Sequence, residues 1–211
     1  MIDDFSKTLR QTQFEISAAR LDQCPVERGL EVAFAGRSNA GKSSILNTLT
    51  DHSGLARTSK TPGRTQLINF FRVSEAWCLV DLPGYGYAKV PEKMKQAWQA
   101  NMGEYLEKRK CLAGLFLIMD IRHPMKAFDQ MMLEWSQHYQ LPVHILLNKS
   151  DKLNRNQLNK TLFSVKKAIK PFGDSISVQT FSALNRQGLD EARQKLADWF
   201  GFDAGIVIMD D

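Results

Sequence analysis

The chain has 211 residues, 43% of them hydrophobic and 24% charged, with a formal net charge of +5. That length and composition suit a single globular domain with a full-sized core. No apolar run reaches the roughly 20 residues of a membrane-spanning helix, and Met1-Ile2-Asp3-Asp4-Phe5 lacks the features of a signal peptide. Cys24, Cys78 and Cys111 are scattered without CxxC spacing, which argues against a disulfide frame or zinc site and fits reduced thiols in the cytoplasm.

In chain order, residues 1–30 lead into the core, with a weakly alternating edge strand over 13–18. A strand over 31–36 runs into Gly36-Arg37-Ser38-Asn39-Ala40-Gly41-Lys42-Ser43 and a helix follows to about residue 50. This matches G-x-x-x-x-G-K-[ST], a loop whose backbone N–H groups converge with the helix dipole on phosphate oxygens. Gly36 and Gly41 give the backbone its freedom, Lys42 reaches the outer phosphates and the Ser43 hydroxyl suits Mg²⁺. Ser44 opens the helix behind it. Residues 51–66 lack periodicity and form a loop that must supply a further Mg²⁺ contact. Thr58, Thr61 and Thr65 are candidates, and Thr65, next to the strand starting at Leu67, is the best placed.

The strand ending at Trp77-Cys78-Leu79-Val80 leads into Asp81-Leu82-Pro83-Gly84. A carboxylate at this tip can hold Mg²⁺ through its water shell, and the Gly84 N–H can meet a γ-phosphate. After a helix over 91–108, a buried strand over 112–120 and a helix over 126–139, the strand at 142–147 ends in Asn148-Lys149-Ser150-Asp151. The Asp151 carboxylate can accept both guanine N1–H and its exocyclic amine, whereas adenine offers an acceptor at N1; such a site rejects adenine. The Lys149 stem can lie over the purine, and Asn148 can tie this loop to the phosphate loop. A helix over 154–170 and a strand over 175–181 follow, ending at Phe181 with Ser182-Ala183-Leu184, whose N–H groups can meet guanine O6. A helix over 188–200 closes the series. The strand–helix alternation implies an α/β fold with parallel strands and right-handed crossovers.

Charge is unevenly spread. From His52 through Ser74 there is no Asp or Glu, nor from Lys152 through Gly173, which holds six cations; Lys108-Arg109-Lys110 is a third cluster. Solvated faces explain any one cluster, but two long acid-free stretches in one domain favour a nucleic-acid surface.

GRSNAGKSS, PGRTQ, DLPGYG, NKSD and SAL, in this order, resemble the motifs of TrmE–Era-type GTPases. TPGRTQLINFF and DLPGYGYA closely resemble the EngB (YihA/YsxC) group, over nearly the whole chain. The resemblance implies one Ras-like G domain: a mostly parallel six-stranded sheet with an antiparallel edge strand and helices on both faces. It divides the chain into a 1–25 extension packed on a 26–204 G domain, with a tail at 205–211. It adds Gly63, Arg64, Gln66 and Leu67 to the GTP/GDP-binding set and implies a monomer that acts in large ribosomal subunit assembly, touching rRNA and ribosomal proteins, with a link to cell division and septation. The alternative is a signalling or division GTPase acting through protein partners alone.

The catalytic groups implied are Lys42, Thr65, Gly84 and Asn39. Ras-like proteins follow the DxxG glycine with a water-orienting Gln, and this chain has Tyr85. Slow intrinsic hydrolysis is therefore expected, with a partner or an ion completing the site. Relatives use an Asn at position 39 to help bind K⁺; the competing account is that Asn39 merely shapes the loop.

Overall fold

A computed structural model describes residues 2–56, 67–85 and 92–202, with the backbone alone at Ile2 and over Glu92–Gln99. The apolar runs at β2 (Leu30–Gly36), β5 (Leu112–Asp120) and β6 (Val143–Asn148) are almost continuously buried, as strands covered on both faces must be. They pair in parallel with each other, and β4 (Trp77–Asp81) and β7 (Ile176–Thr180) extend the parallel set. β3 (Ile68–Ser74) runs against β4, and β1 (Gln13–Ala18) runs against β3. The order is β1-β3-β4-β2-β5-β6-β7. The mostly parallel sheet with an antiparallel margin is as expected. Among the described residues the sheet has seven strands instead of the six the resemblance implies, and the weakly alternating 13–18 segment is one of them, pairing from Gln13 opposite Arg72 to Ala18 opposite Ile68.

Alternation within the strands sends side chains to two helix layers. On β2, Ala33 and Ala35 join Met102 and Tyr105 of α3 (Glu92–Lys108), Met132 and Leu133 of α4 (Ala127–His138), and Val165 and Ile169 of α5 (Arg155–Ile169). Val32 and Phe34 join Ile45 and Leu49 of α2 (Lys42–Thr50) and Leu196 and Phe200 of α6 (Leu189–Phe200). The second layer also holds α1 (Ile2–Leu9), which the chain reading does not anticipate. Its helical signal is the apolar spacing of Ile2, Phe5 and Leu9 at i, i+3 and i+7, of which Phe5 and Leu9 are fully buried. Asp3 and Asp4 in its first turn and Lys7 in its last suit the helix dipole. Trp199 lies against Gly114, where a Cβ would sit 2.5 Å from the indole.

Every parallel strand points its C-terminal end to the same edge of the sheet. β2 lies between β4 and β5, so its end is the point where connections diverge to both sides, the usual place for a ligand in such sheets.

Candidate functional site

At that edge Gly36 closes β2 against β5; a Cβ there would lie 2.8 Å from the Ile118 carbonyl oxygen. The chain then curls through Asn39 at φ 65 and Gly41 at φ 101, both left-handed, before α2 begins at Lys42. Gly41 has a steric reason as well: its missing Cβ would stand 2.2 Å from Asn148 Nδ2. The first-turn N–H groups of α2 lack intrahelical acceptors. They open on a cavity of about 880 Å³ whose lining includes Lys42, Ser43, Asp81, Gly84 and Lys149.

Two groups from different elements meet in this cavity. The Lys42 ammonium donates to the Asp81 carboxylate at the end of β4, each side chain 11% exposed. The segment after Asp81 docks on the loop through backbone bonds: Leu82 N–H to Phe34 O (3.0 Å), Tyr85 N–H to Gly36 O (3.4 Å) and Ser38 N–H to Tyr85 O (2.8 Å). Gly84 thereby lies against Gly36 and Ser38. Ser43 and Asp81 offer hydroxyl and carboxylate oxygens, the donor set that suits Mg²⁺. Leu67 lines the cavity, while Gly63, Arg64, Thr65 and Gln66, with Thr58 and Thr61, lie outside the described residues.

Tyr85 itself turns away from the cavity. It is 3% exposed, its ring packs on Phe128, and its hydroxyl donates to Asp129 Oδ1 at 2.7 Å. Burial and the adjacent Asp129 raise its pKa well above the ordinary phenol value. Burial likewise raises that of Asp129, whose other oxygen accepts from the Lys126 N–H at the start of α4 (2.9 Å).

The loops after β6 and β7 are stitched to the phosphate loop. Asn148 Nδ2 donates to Ala40 O (2.8 Å), and its Oδ1 accepts from the Ala183 N–H (3.3 Å). Lys149, at φ 67, donates from Nζ to Asn39 O (2.6 Å) and to Asp120 Oδ2 (2.9 Å). Ser150 N–H donates to Phe181 O (3.0 Å), and Ser182 Oγ donates to Asp151 Oδ1 (2.6 Å). The Ser182 hydroxyl first, and Lys152 after it, hold Asp151 below the usual carboxylate range, so it is ionised at neutral pH. The Phe181 ring is fully buried in the core; only its backbone reaches this loop. The N–H groups of Ser182 and Ala183 are engaged, by Gln187 O and Asn148 Oδ1, so a contact from Ala183 to guanine O6 requires its 3.3 Å bond to yield or share.

Asp120 belongs to none of the sequence motifs. Partial burial pushes its pKa up, but hydrogen bonds from Arg122 and Lys149 outweigh this and hold it far below the usual range. It ends β5 as Asp81 ends β4, and an acid at the tip of a buried strand was the signal available.

Residues 31–149 match a family model described as 50S ribosome-binding GTPase. The chain is similar to two proteins each called probable GTP-binding protein EngB. The one from Coxiella burnetii is 53% identical over 191 residues, covering 90% of this chain and 93% of the relative. The one from Mannheimia succiniciproducens is 53% identical over 197 residues, covering 93% and 96%. Among solved structures, the crystal structure of a probable GTP-binding protein engB superposes with a TM-score of 0.66 at 18% identity, over 81% of this chain and 98% of that one; this likeness concerns the fold alone.

Proposed function

Because the chain belongs to the EngB family of GTP-binding proteins, we propose that it is a GTP-driven switch that docks on the large ribosomal subunit or its precursors during assembly and leaves after hydrolysis. Defects in that cycle would disturb division and septation. The protein acts in the cytoplasm as a monomer, with 26–204 as the switch body and 1–25 packed on it.

The observation that carries the nucleotide reading is the pair of hydrogen bonds made by the Asn148 side chain. By holding Ala40 and Ala183 at once, it fixes the base-reading loop against the phosphate-reading loop. At the phosphate end, residues 36–44 cradle the phosphates with backbone N–H groups, and Lys42 exchanges Asp81 for phosphate oxygens. Asp81, so released, would hold Mg²⁺ through water, and Ser43 and Thr65 would offer their hydroxyl oxygens to it. When bound, Mg²⁺ would supply positive charge to offset that of the phosphates. Gly84 N–H and Thr65 N–H sense the γ-phosphate, so the two segments tighten with GTP and relax with GDP. At the base end, Asp151 accepts from guanine N1–H and the exocyclic amine, and the Lys149 stem covers the purine.

Hydrolysis is slow in the isolated protein, since Tyr85 offers nothing to orient water. A partner or K⁺ completes the site. Asn39 is the candidate residue for K⁺, although its left-handed backbone at φ 65 is what the loop-shaping account also predicts. Equal GTPase rates in KCl and NaCl would remove the K⁺ part.

Competition between GTP and ATP tests the nucleotide. GTP should win by at least about 100-fold, and Asp151→Asn should cost about as much, since each charge-assisted hydrogen bond contributes about 1.5–3 kcal/mol. ATP competing as well as GTP would refute the base assignment. Sedimentation with large-subunit particles tests the partner. Binding should be nucleotide-dependent and fall steeply with salt.

A further inference from the structure

α5 buries one stripe and exposes another of unusual chemistry. Val165 and Ile169 are buried and Leu158 and Leu162 pack against the same core. Turning outward from the edge of that stripe, Arg155, Asn159, Lys160, Phe163, Lys166 and Lys167 are all exposed. At about 100° per residue they fall within one arc of about 140°, with Phe163 near its middle. Phe163 is 73% exposed.

Ordinary surface helices intersperse both signs of charge. This chain does so elsewhere: Lys7 pairs with Asp4, Lys108 with Glu104 and Arg186 with Asp51. Arg155, Lys160, Lys166 and Lys167 pair with no carboxylate among the described residues, and no acid occurs from Lys152 through Gly173. The helix dipole accounts for Lys166 and Lys167 in the last turn. It does not account for Lys160, for Arg155 in the unfavourable first turn, or for a solvent-facing phenyl ring between them.

We propose that the outer face of α5 is a platform for unpaired RNA, a reading that rests on the ribosomal partner argued above. A flat aromatic ring flanked by unpaired cations stacks a splayed base while the cations follow the adjoining phosphates. Asn159 adds an amide that can pair with a base edge. A duplex keeps its bases stacked inside and would leave Phe163 unused. An acidic protein would satisfy the cations but give no advantage to a planar partner.

The test uses the full chain and a fluorescently labelled oligouridylate of about 12 nucleotides, read by anisotropy between about 50 and 200 mM KCl. Wild type should prefer this single strand to duplex RNA of equal length. Phe163→Ala should weaken binding by roughly tenfold at every salt concentration without changing the salt slope, and Phe163→Trp should restore it. Lys166→Ala and Lys167→Ala should each flatten the slope by roughly 0.7. GTP affinity and melting temperature should be unchanged in all four, because none touches the nucleotide cavity or the core. If Phe163→Ala binds as wild type does, or if duplex RNA or polyglutamate binds as well as the single strand, the platform is refuted. The ribosomal reading is then judged separately, by whether wild-type protein still sediments with large-subunit particles.

Discussion

His144 faces inward from β6 and is 3% exposed, between Ser177 Oγ at 2.7 Å from Nδ1 and Gln179 Oε1 at 2.8 Å from Nε2. Burial pushes its pKa down to about 4. An unfolded chain protonates its histidines near pH 6.5, so between these values the unfolded state binds the extra proton. The stability that His144 contributes is therefore fully present above about pH 6.5 and is lost as the pH falls through about 4, a change of roughly 3 kcal/mol. Urea unfolding at a series of pH values should reveal this loss, and His144→Gln, which keeps a donor and an acceptor, should flatten it. Gly41 is a second residue whose identity is dictated locally. Gly41→Ala combines a strained left-handed backbone with a Cβ 2.2 Å from Asn148 Nδ2. It should cost about 1–3 kcal/mol of stability and weaken GTP binding, measured by thermal shift and nucleotide titration. The sequence pattern alone predicts a glycine here, but the Asn148 contact, 107 positions away in the chain's numbering, is visible only when folded.

Between elements, the bond from Tyr85 to Asp129 joins the segment after β4 to the start of α4. It decides what a substitution at the water-orienting position can achieve. Tyr85→Gln is the obvious attempt to restore Ras-like catalysis, yet the side chain at this position points into the core. Single-turnover hydrolysis should be no faster, and the melting temperature should fall, since Asp129 loses a donor and Phe128 a neighbour. Tyr85→Phe isolates the hydroxyl and should cost about 1–2 kcal/mol. A faster Tyr85→Gln enzyme would mean that the side chain reaches the cavity after all. This pair also marks the limit of the chain reading. The phosphate loop, Asp81 and Asn148–Asp151 are contiguous motifs at strand ends, where local spacing already implies geometry. Tyr85–Asp129 and Lys149–Asp120 join residues 44 and 29 positions apart, and their partners carry no motif of their own. Helix α1 is a different case: Ile2, Phe5 and Leu9 do carry helical spacing, but eight residues make barely two turns, too short to stand as a helix without the core they pack on.

At the scale of the whole molecule, the site and the helix layers occupy different parts of the sheet. The cavity lies at the C-terminal ends of the strands, whereas α1, α2 and α6 close one face. α1 is the shortest helix of that cover, and Phe5 is its anchor. The ring is fully buried, with its centroid 5.0 Å from Phe202, 6.1 Å from Trp77 and 6.5 Å from Phe200. Just beyond α1, Arg10 pairs with Asp51 at the end of α2, and Asp51 also pairs with Arg186 in the loop before α6. These surface pairs are exposed enough that each contributes little, so the attachment of α1 rests on the aromatic cluster. Phe5→Ala should therefore cost about 3–5 kcal/mol, read as a lower urea midpoint with an unchanged slope. Arg10→Ala should cost under about 1 kcal/mol. Neither side chain lines the cavity, so the folded Phe5→Ala protein should keep its GTP affinity within a few-fold, measured well below its unfolding midpoint. Saturating GTP should then raise the melting temperatures of the variant and the wild type by similar increments, because ligand linkage acts on whatever fraction is folded. A large loss of affinity in Phe5→Ala would instead mean that α1 transmits strain through α2 to the phosphate loop, and that the helix cover and the site are one cooperative unit.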